Sequence, residues 1–145
     1  MPQQSFSAQV GAWVRKTKGA EEAVFKESTQ RIIEIMQTPV AKGGNMPVDT
    51  GFLRSSLQAG LNSPQPGPTD NPGGTFSYNP GDVALIIASA DLGDTIYATY
   101  SANYARPVEY GANGRAGRRF VGLAAQRWQS TVSAVALEAR RRVGR

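Results

Sequence analysis

The chain has 145 residues, contains no cysteine and no histidine, and carries a formal net charge of +5. Those two absences exclude thiol and imidazole nucleophiles, disulfide frameworks and Cys/His zinc sites, so an enzyme here would depend on carboxylates, Lys, Tyr, Ser or an oxygen-ligated metal. Charge is uneven: residues 1–105 hold seven Lys/Arg against nine acids, a balance of −2, whereas residues 106–145 hold nine Arg against Glu109 and Glu138, a balance of +7.

The stretch Met1 to Lys18 has no apolar run of the kind a secretory signal needs, and nothing in the chain approaches the ~18 apolar residues of a membrane span. Within it, Phe6, Val10, Trp13 and Val14 recur at helical spacing. A stronger helical pattern runs from about Ala20 to Gln37, with Val24, Ser28, Ile32, Ile35 and Met36 on one face. Gly19 either bends the two stretches apart or sits inside one long helix. Glu21 and Glu22 suit a helix start and favour the break. Thr38-Pro39 ends the helix, because the residue before proline is pushed out of the α region.

Residues 39–47 read as a flexible loop, after which Asp49 or Thr50 can cap a short helix carrying Phe52, Leu53, Ser56 and Leu57. Residues 60–81 hold five prolines and five glycines. That is long for an ordered connection and reads as a mobile arm or a disordered insertion in a single domain spanning 1–145. Asp82 to Ser89, apolar and of strand length, and Thr95 to Ser101, which alternates, read as two strands joined by a turn with Gly93. Residues 102–110 read as a short helix or turn limited by Pro107, and 111–117 as a glycine-rich loop. Phe120 to Arg142 reads as a final helix with Phe120, Leu123, Ala124, Trp128, Thr131, Val132, Val135 and Ala139 near one side. The expected fold is α+β: a long N-terminal helix, a short second helix, a small antiparallel β-sheet with a hairpin, and a C-terminal helix packed on the sheet.

Chemistry tested against this frame is mostly rejected. No Walker A sequence occurs, and the glycines at 111, 114 and 117 do not follow a strand-to-helix turn. Asp91 and Asp94 on a turn read as solvated turn formers rather than cation ligands. Glu109 reads as the partner of an arginine. No nucleophile, base and orienting group come together, so no enzyme, no metal and no cofactor is expected. The arginines Arg106, Arg115, Arg118, Arg119, Arg140, Arg141 and Arg142 read as a subunit-interface or DNA-facing set, with no recognisable base-reading module.

Two segments, PVDTGFLRSSL (47–57) and YARPVEYG (104–111), resemble the motifs of tailed-bacteriophage head–tail joining and tail-completion proteins, the family that includes the completion protein of lambda-like tails. The match falls on Pro47, Val48, Asp49, Thr50, Gly51, Leu53, Arg54 and Ser56, and on Tyr104, Ala105, Val108, Glu109 and Gly111. The order also resembles the family's: long helix, first motif, β hairpin, second motif, variable loop and an aromatic-led helix, over roughly residues 20–143.

The resemblance implies a structural virion protein, assembled in the host cytoplasm, that forms a ring at the head–tail junction. Its partners would be copies of itself and other neck, portal-adaptor and tail proteins, with no membrane. In this setting Asp49 and Thr50 would cap the short helix and Gly51 would allow close packing. Glu109 would pair with Arg54 or with an arginine of a neighbour. The acid-leaning and basic parts would meet between neighbours, ahead of any non-specific contact with DNA in the channel. Other ring roles, tail terminator or head closure, and a basic DNA-binding accessory protein are the alternatives.

Overall fold

The structure, a computed structural model, describes residues 5–143. The first four residues of the stretch tested as a signal, and Arg145 of the basic quarter, lie outside the described residues. The fold is α+β, with a long N-terminal helix, two small antiparallel sheets of two strands each, and a C-terminal helix packed back on the N-terminal helix.

Helix α1 runs unbroken from Phe6 to Gln37, 32 residues, or about 48 Å at 1.5 Å per residue. The expected break at Gly19 does not occur. No Ser, Thr, Asp or Asn stands at residues 18–20 to cap a second helix, and Gly19 alone costs a helix only about 1 kcal/mol. Ser5 caps the start by accepting from the Ala8 N–H at 3.2 Å, and Thr38 leaves the helix at ψ 119° before Pro39, as expected.

The next elements differ from the sequence reading. Helix α2 is short, Phe52–Ser55, and Leu57 opens a strand, β1, Leu57–Leu61. The segment expected as a strand at 82–89 is helix α3, Pro80–Ser89. Asn79 caps it by accepting from the Gly81 N–H at 3.0 Å, Pro80 occupies the first turn and Asp82 lies there too. Val83 and Ile87, four apart, are the buried pair. Lys26 Nζ closes the far end by donating to the Ala88 carbonyl at 2.7 Å.

Strand β2, Ile96–Tyr100, lies within the expected span, but its partner is β1, antiparallel from Leu57↔Tyr100 to Leu61↔Ile96. The expected hairpin is therefore replaced by a long connection containing α3. Helix α4 is Ala105–Tyr110, and the glycine-rich loop forms a two-residue ladder of β3, Gly111–Ala112, with β4, Arg115–Ala116. The final helix is divided into α5, Phe120–Ala125, and α6, Trp128–Val143. Between them an Arg127 N–H to Ala124 carbonyl bond of 3.0 Å tightens the turn.

The connecting segment spans 62–79 and lies along the body. The Phe76 N–H donates to the Thr50 carbonyl at 2.8 Å, and Asn103 Nδ2 donates to Asp70 Oδ1 at 2.8 Å. The Phe76 and Phe52 rings are 5.2 Å apart.

Two apolar clusters result. Ile33, Met36, Leu57, Val83, Ile87 and Ala124 form one, and Met46, Phe52, Leu53, Ala102 and Phe120 the other. Tyr100 and Val121 pack against both and join them.

Candidate assembly surface

The two motif segments, about 50 residues apart in sequence, pack on one another in the second cluster. Leu53 and Phe52 are buried there against Tyr104, Ala105 and Val108, with the Phe52 and Tyr104 rings 6.0 Å apart. The Ser56 carbonyl accepts the Ser101 N–H at 3.2 Å, which ties α2 to the end of β2.

Within the first segment the roles are specific. Gly51 is the left-handed residue ahead of α2 (φ 86°), and a Cβ on it would come 2.2 Å from the Phe76 carbonyl oxygen, so it does allow close packing. Thr50 Oγ1 accepts from the Phe52 N–H at 3.3 Å. Asp49 is exposed and does not cap the helix, because Gly51 occupies that place. Ser56 Oγ donates to the Leu53 carbonyl at 2.7 Å. Pro47 is half-buried and Val48 is exposed.

Glu109 does not pair with Arg54. Buried at the end of α4, its carboxylate accepts the N–H groups of Val121 at 3.0 Å and Gly122 at 2.8 Å, and so caps the start of α5. Arg54 instead donates its Nε–H to the Gln37 carbonyl at 2.9 Å and places its guanidinium 5.3 Å from the Tyr78 ring centre.

Gln37, absent from the motif, is the hub on the other side. Its Nε2 donates to the Arg54 carbonyl at 2.9 Å and its Oε1 accepts the Tyr100 hydroxyl at 2.6 Å. Burial pushes the Tyr100 hydroxyl far above the usual tyrosine value. A glutamine inside a helical pattern gives no sign of this role in sequence.

Gly111 (φ 95°) turns the chain out of α4, and Gly117 lies where a Cβ would meet the Glu109 carbonyl oxygen at 2.3 Å. Gly117 was legible only as one glycine of a loop.

The outer side of the motif pair is a groove of about 950 Å³. Pro47 of the first segment and Tyr104, Pro107 and Val108 of the second line it, and Arg115 and Arg118 contribute from the β3–β4 hairpin and its exit. No acidic residue lines it.

The expected arginine set is only partly brought together. Arg115 and Arg118 share the groove, and Arg106 is exposed on α4 with its guanidinium 6.0 Å from the Tyr110 ring centre. Arg119 is the left-handed residue preceding α5. Arg140, Arg141 and Arg142 are exposed in the last turn of α6, which suits the negative end of the helix dipole. Exposed guanidiniums around an acid-free groove favour an anionic occupant such as an acidic protein surface or phosphates.

Asp94 closes its turn as a turn former does: its carboxylate accepts the Asp91 N–H at 2.8 Å and Asn62 Nδ2 at 3.1 Å. Those two bonds, the first foremost, hold its carboxyl below the usual carboxylate range. Among the described residues no three acids gather to hold a metal ion, and no helix is long and apolar enough to cross a membrane.

A second surface was only half legible. Phe6, Val10 and Trp13 of α1 are 82, 42 and 66 % exposed. Their helical spacing in the sequence suggested a face but not that the face stays uncovered.

Comparison with family models, with curated proteins and with solved structures returns no match.

Proposed function

We propose that the chain is a structural virion protein of the phage neck, one subunit of a ring that connects the portal side of the head to the tail. The observation that carries this reading is the packing of the two motif segments into one unit around Phe52, Leu53, Tyr104 and Val108. A shared packing role explains why those residue types stand at that spacing, with no catalytic task for any of them. Gly51, Gly111 and Glu109 likewise serve the backbone: two left-handed turns and one helix cap.

A ring subunit needs outward surfaces rather than a reactive centre, and two are present. The acid-free groove with Arg115 and Arg118 suits an acidic neighbour, and the bare apolar side of α1 suits an apolar one. Protein contact ranks ahead of DNA contact for the groove, because a strongly positive channel wall would hold back DNA during ejection. The partners are copies of itself together with portal-adaptor and tail proteins. The location is the head–tail junction after assembly in the host cytoplasm.

Electron microscopy and native mass spectrometry of the purified protein, with gold labelling on virions, test this reading. Rings in solution and label at the junction are expected. A monomer that binds DNA tightly, with affinity falling steeply as salt rises, overturns it in favour of a DNA-binding accessory protein. Label elsewhere on the virion also overturns it.

A further inference from the structure

We propose that the N-terminal half of α1 in one copy docks into the groove between α1 and α6 of the next copy. The proposal rests on the ring reading for closure of the assembly, and it names the contact that would build it.

The apolar side of α1 is a single stripe with the alternating four-three spacing of a coiled-coil seam: Phe6, Val10, Trp13, Thr17, Ala20 and Val24. The second half of the stripe has a partner. Val24 and Phe25 form one wall of a groove of about 670 Å³, and Trp128, Val132, Ala136 and Ala139 of α6 form the other. Among the described residues, only Glu21 and Arg140 bring charge to its lining. The first half of the stripe is bare, and no residue of α1 before Ser28 is buried. Because α1 continues through Gly19 as unbroken helix, this half cannot fold back onto its own groove. Any copy of it in the groove comes from another molecule.

Three features select a second copy as the occupant. Two helices side by side, with alanines at 20, 136 and 139, leave a valley into which the large side chains of a third helix can insert. The lengths agree, since Phe6 to Lys18 and Trp128 to Arg140 each advance about 18 Å along a helix. On the α1 wall of the groove the charges are complementary as well, while the α6 wall ends in Arg140, Arg141 and Arg142. Residues 5–18 carry Arg15, Lys16 and Lys18 and no acid, whereas residues 20–37 carry four glutamates against Lys26 and Arg31. Donating the arm to one neighbour while receiving one from the other is a head-to-tail contact, which makes a ring wherever its rotation closes.

The absence of cysteine allows a direct test. Full-length Val10→Cys and Ala136→Cys proteins, carrying different tags, are co-expressed and oxidised, and the cross-linked products are weighed. Disulfide-linked heterodimer in excess over either homodimer is expected. Adding Trp13→Arg to the arm protein is expected to remove the heterodimer and weaken self-association about tenfold or more. Trp13 is exposed, so the monomer's thermal unfolding should not change.

Predominant homodimer of Val10→Cys, meaning arm against arm, overturns the proposal. So does predominant homodimer of Ala136→Cys, or no cross-link at all. Rings that survive Trp13→Arg in electron micrographs overturn this contact and leave the ring reading standing. Heterodimer cross-links in a protein that forms only open chains leave the contact standing and remove the ring.

Discussion

Glu109 is buried and faces two backbone N–H groups rather than a guanidinium. Glu109→Gln keeps the shape but replaces one accepting oxygen with an NH₂ that faces a donor. A loss of about 1–2 kcal/mol in urea unfolding is expected. Two glycines, Gly51 of the first motif and Gly117 of the loop after the second, give a sharper expectation. Gly51→Ala and Gly117→Ala each drive a methyl into a backbone carbonyl, at 2.2 Å and 2.3 Å, and Gly51 also needs its positive φ. Each is expected to lower stability by about 2 kcal/mol or more, read from the shift in denaturation midpoint. The motif residues were visible in the sequence, but their partners were not. Glu109 was matched with arginine because charge was the only clue available, and backbone N–H groups have no letter in a sequence.

At the scale of elements, local signals succeeded where capping and periodicity agreed. Thr38-Pro39 ended α1, and the alternation of Thr95–Ser101 located β2. They failed at Asp82–Ser89, because a short apolar run has no period that separates strand from helix. The deciding residues lay just outside it: Asn79 as cap and Pro80 at the first turn. Asn79→Ala is therefore expected to cost about 1 kcal/mol, with loss of helical circular dichroism if α3 melts before the rest. The converse holds in α1. Gly19 is exposed and helical, and a methyl group added to it would meet nothing within 4 Å. Gly19→Ala is expected to stabilise the protein by about 0.5–1 kcal/mol, read as a higher thermal midpoint.

The whole molecule is held by two apolar clusters that meet at Tyr100, whose ring stands edge-on to Phe120 at 5.0 Å and whose hydroxyl reaches Gln37. That placement has a pH consequence. Burial holds the Tyr100 hydroxyl protonated well above the ordinary tyrosine value of 10.0. Below that pH both folded and unfolded chains keep the proton and the stabilisation is intact. Above it the unfolded chain gives up a proton that the folded chain retains, so stability falls as pH rises. Burial raises Tyr78 and Tyr104 in the same direction. Urea midpoints measured from neutral pH to about pH 11 should decline, and Tyr100→Phe should flatten part of that decline.

A further link across the molecule is the two-pronged pair of Arg31 with Glu138, at 3.2 and 2.7 Å, which ties α6 to α1. One of the two acids in the basic quarter is thus spent within the fold, and Glu109 is the other. Among the described residues, the arginines of this quarter, from Arg106 to Arg142, are left to face outward.

By itself the sequence determined the thiol and imidazole chemistry that cannot occur here, the division of charge, the α+β content, and the end of the first helix at Thr38. These depend on composition and on contacts between near neighbours, which a linear pattern records. Only the tertiary structure decided that β2 pairs with β1 across α3, that Glu109 caps α5, and that the two motif segments share one core. Each of these depends on what lies opposite a residue tens of positions away, and in each the alternatives satisfy local propensity equally well. Burial and backbone hydrogen bonding, both settled in three dimensions, separate them.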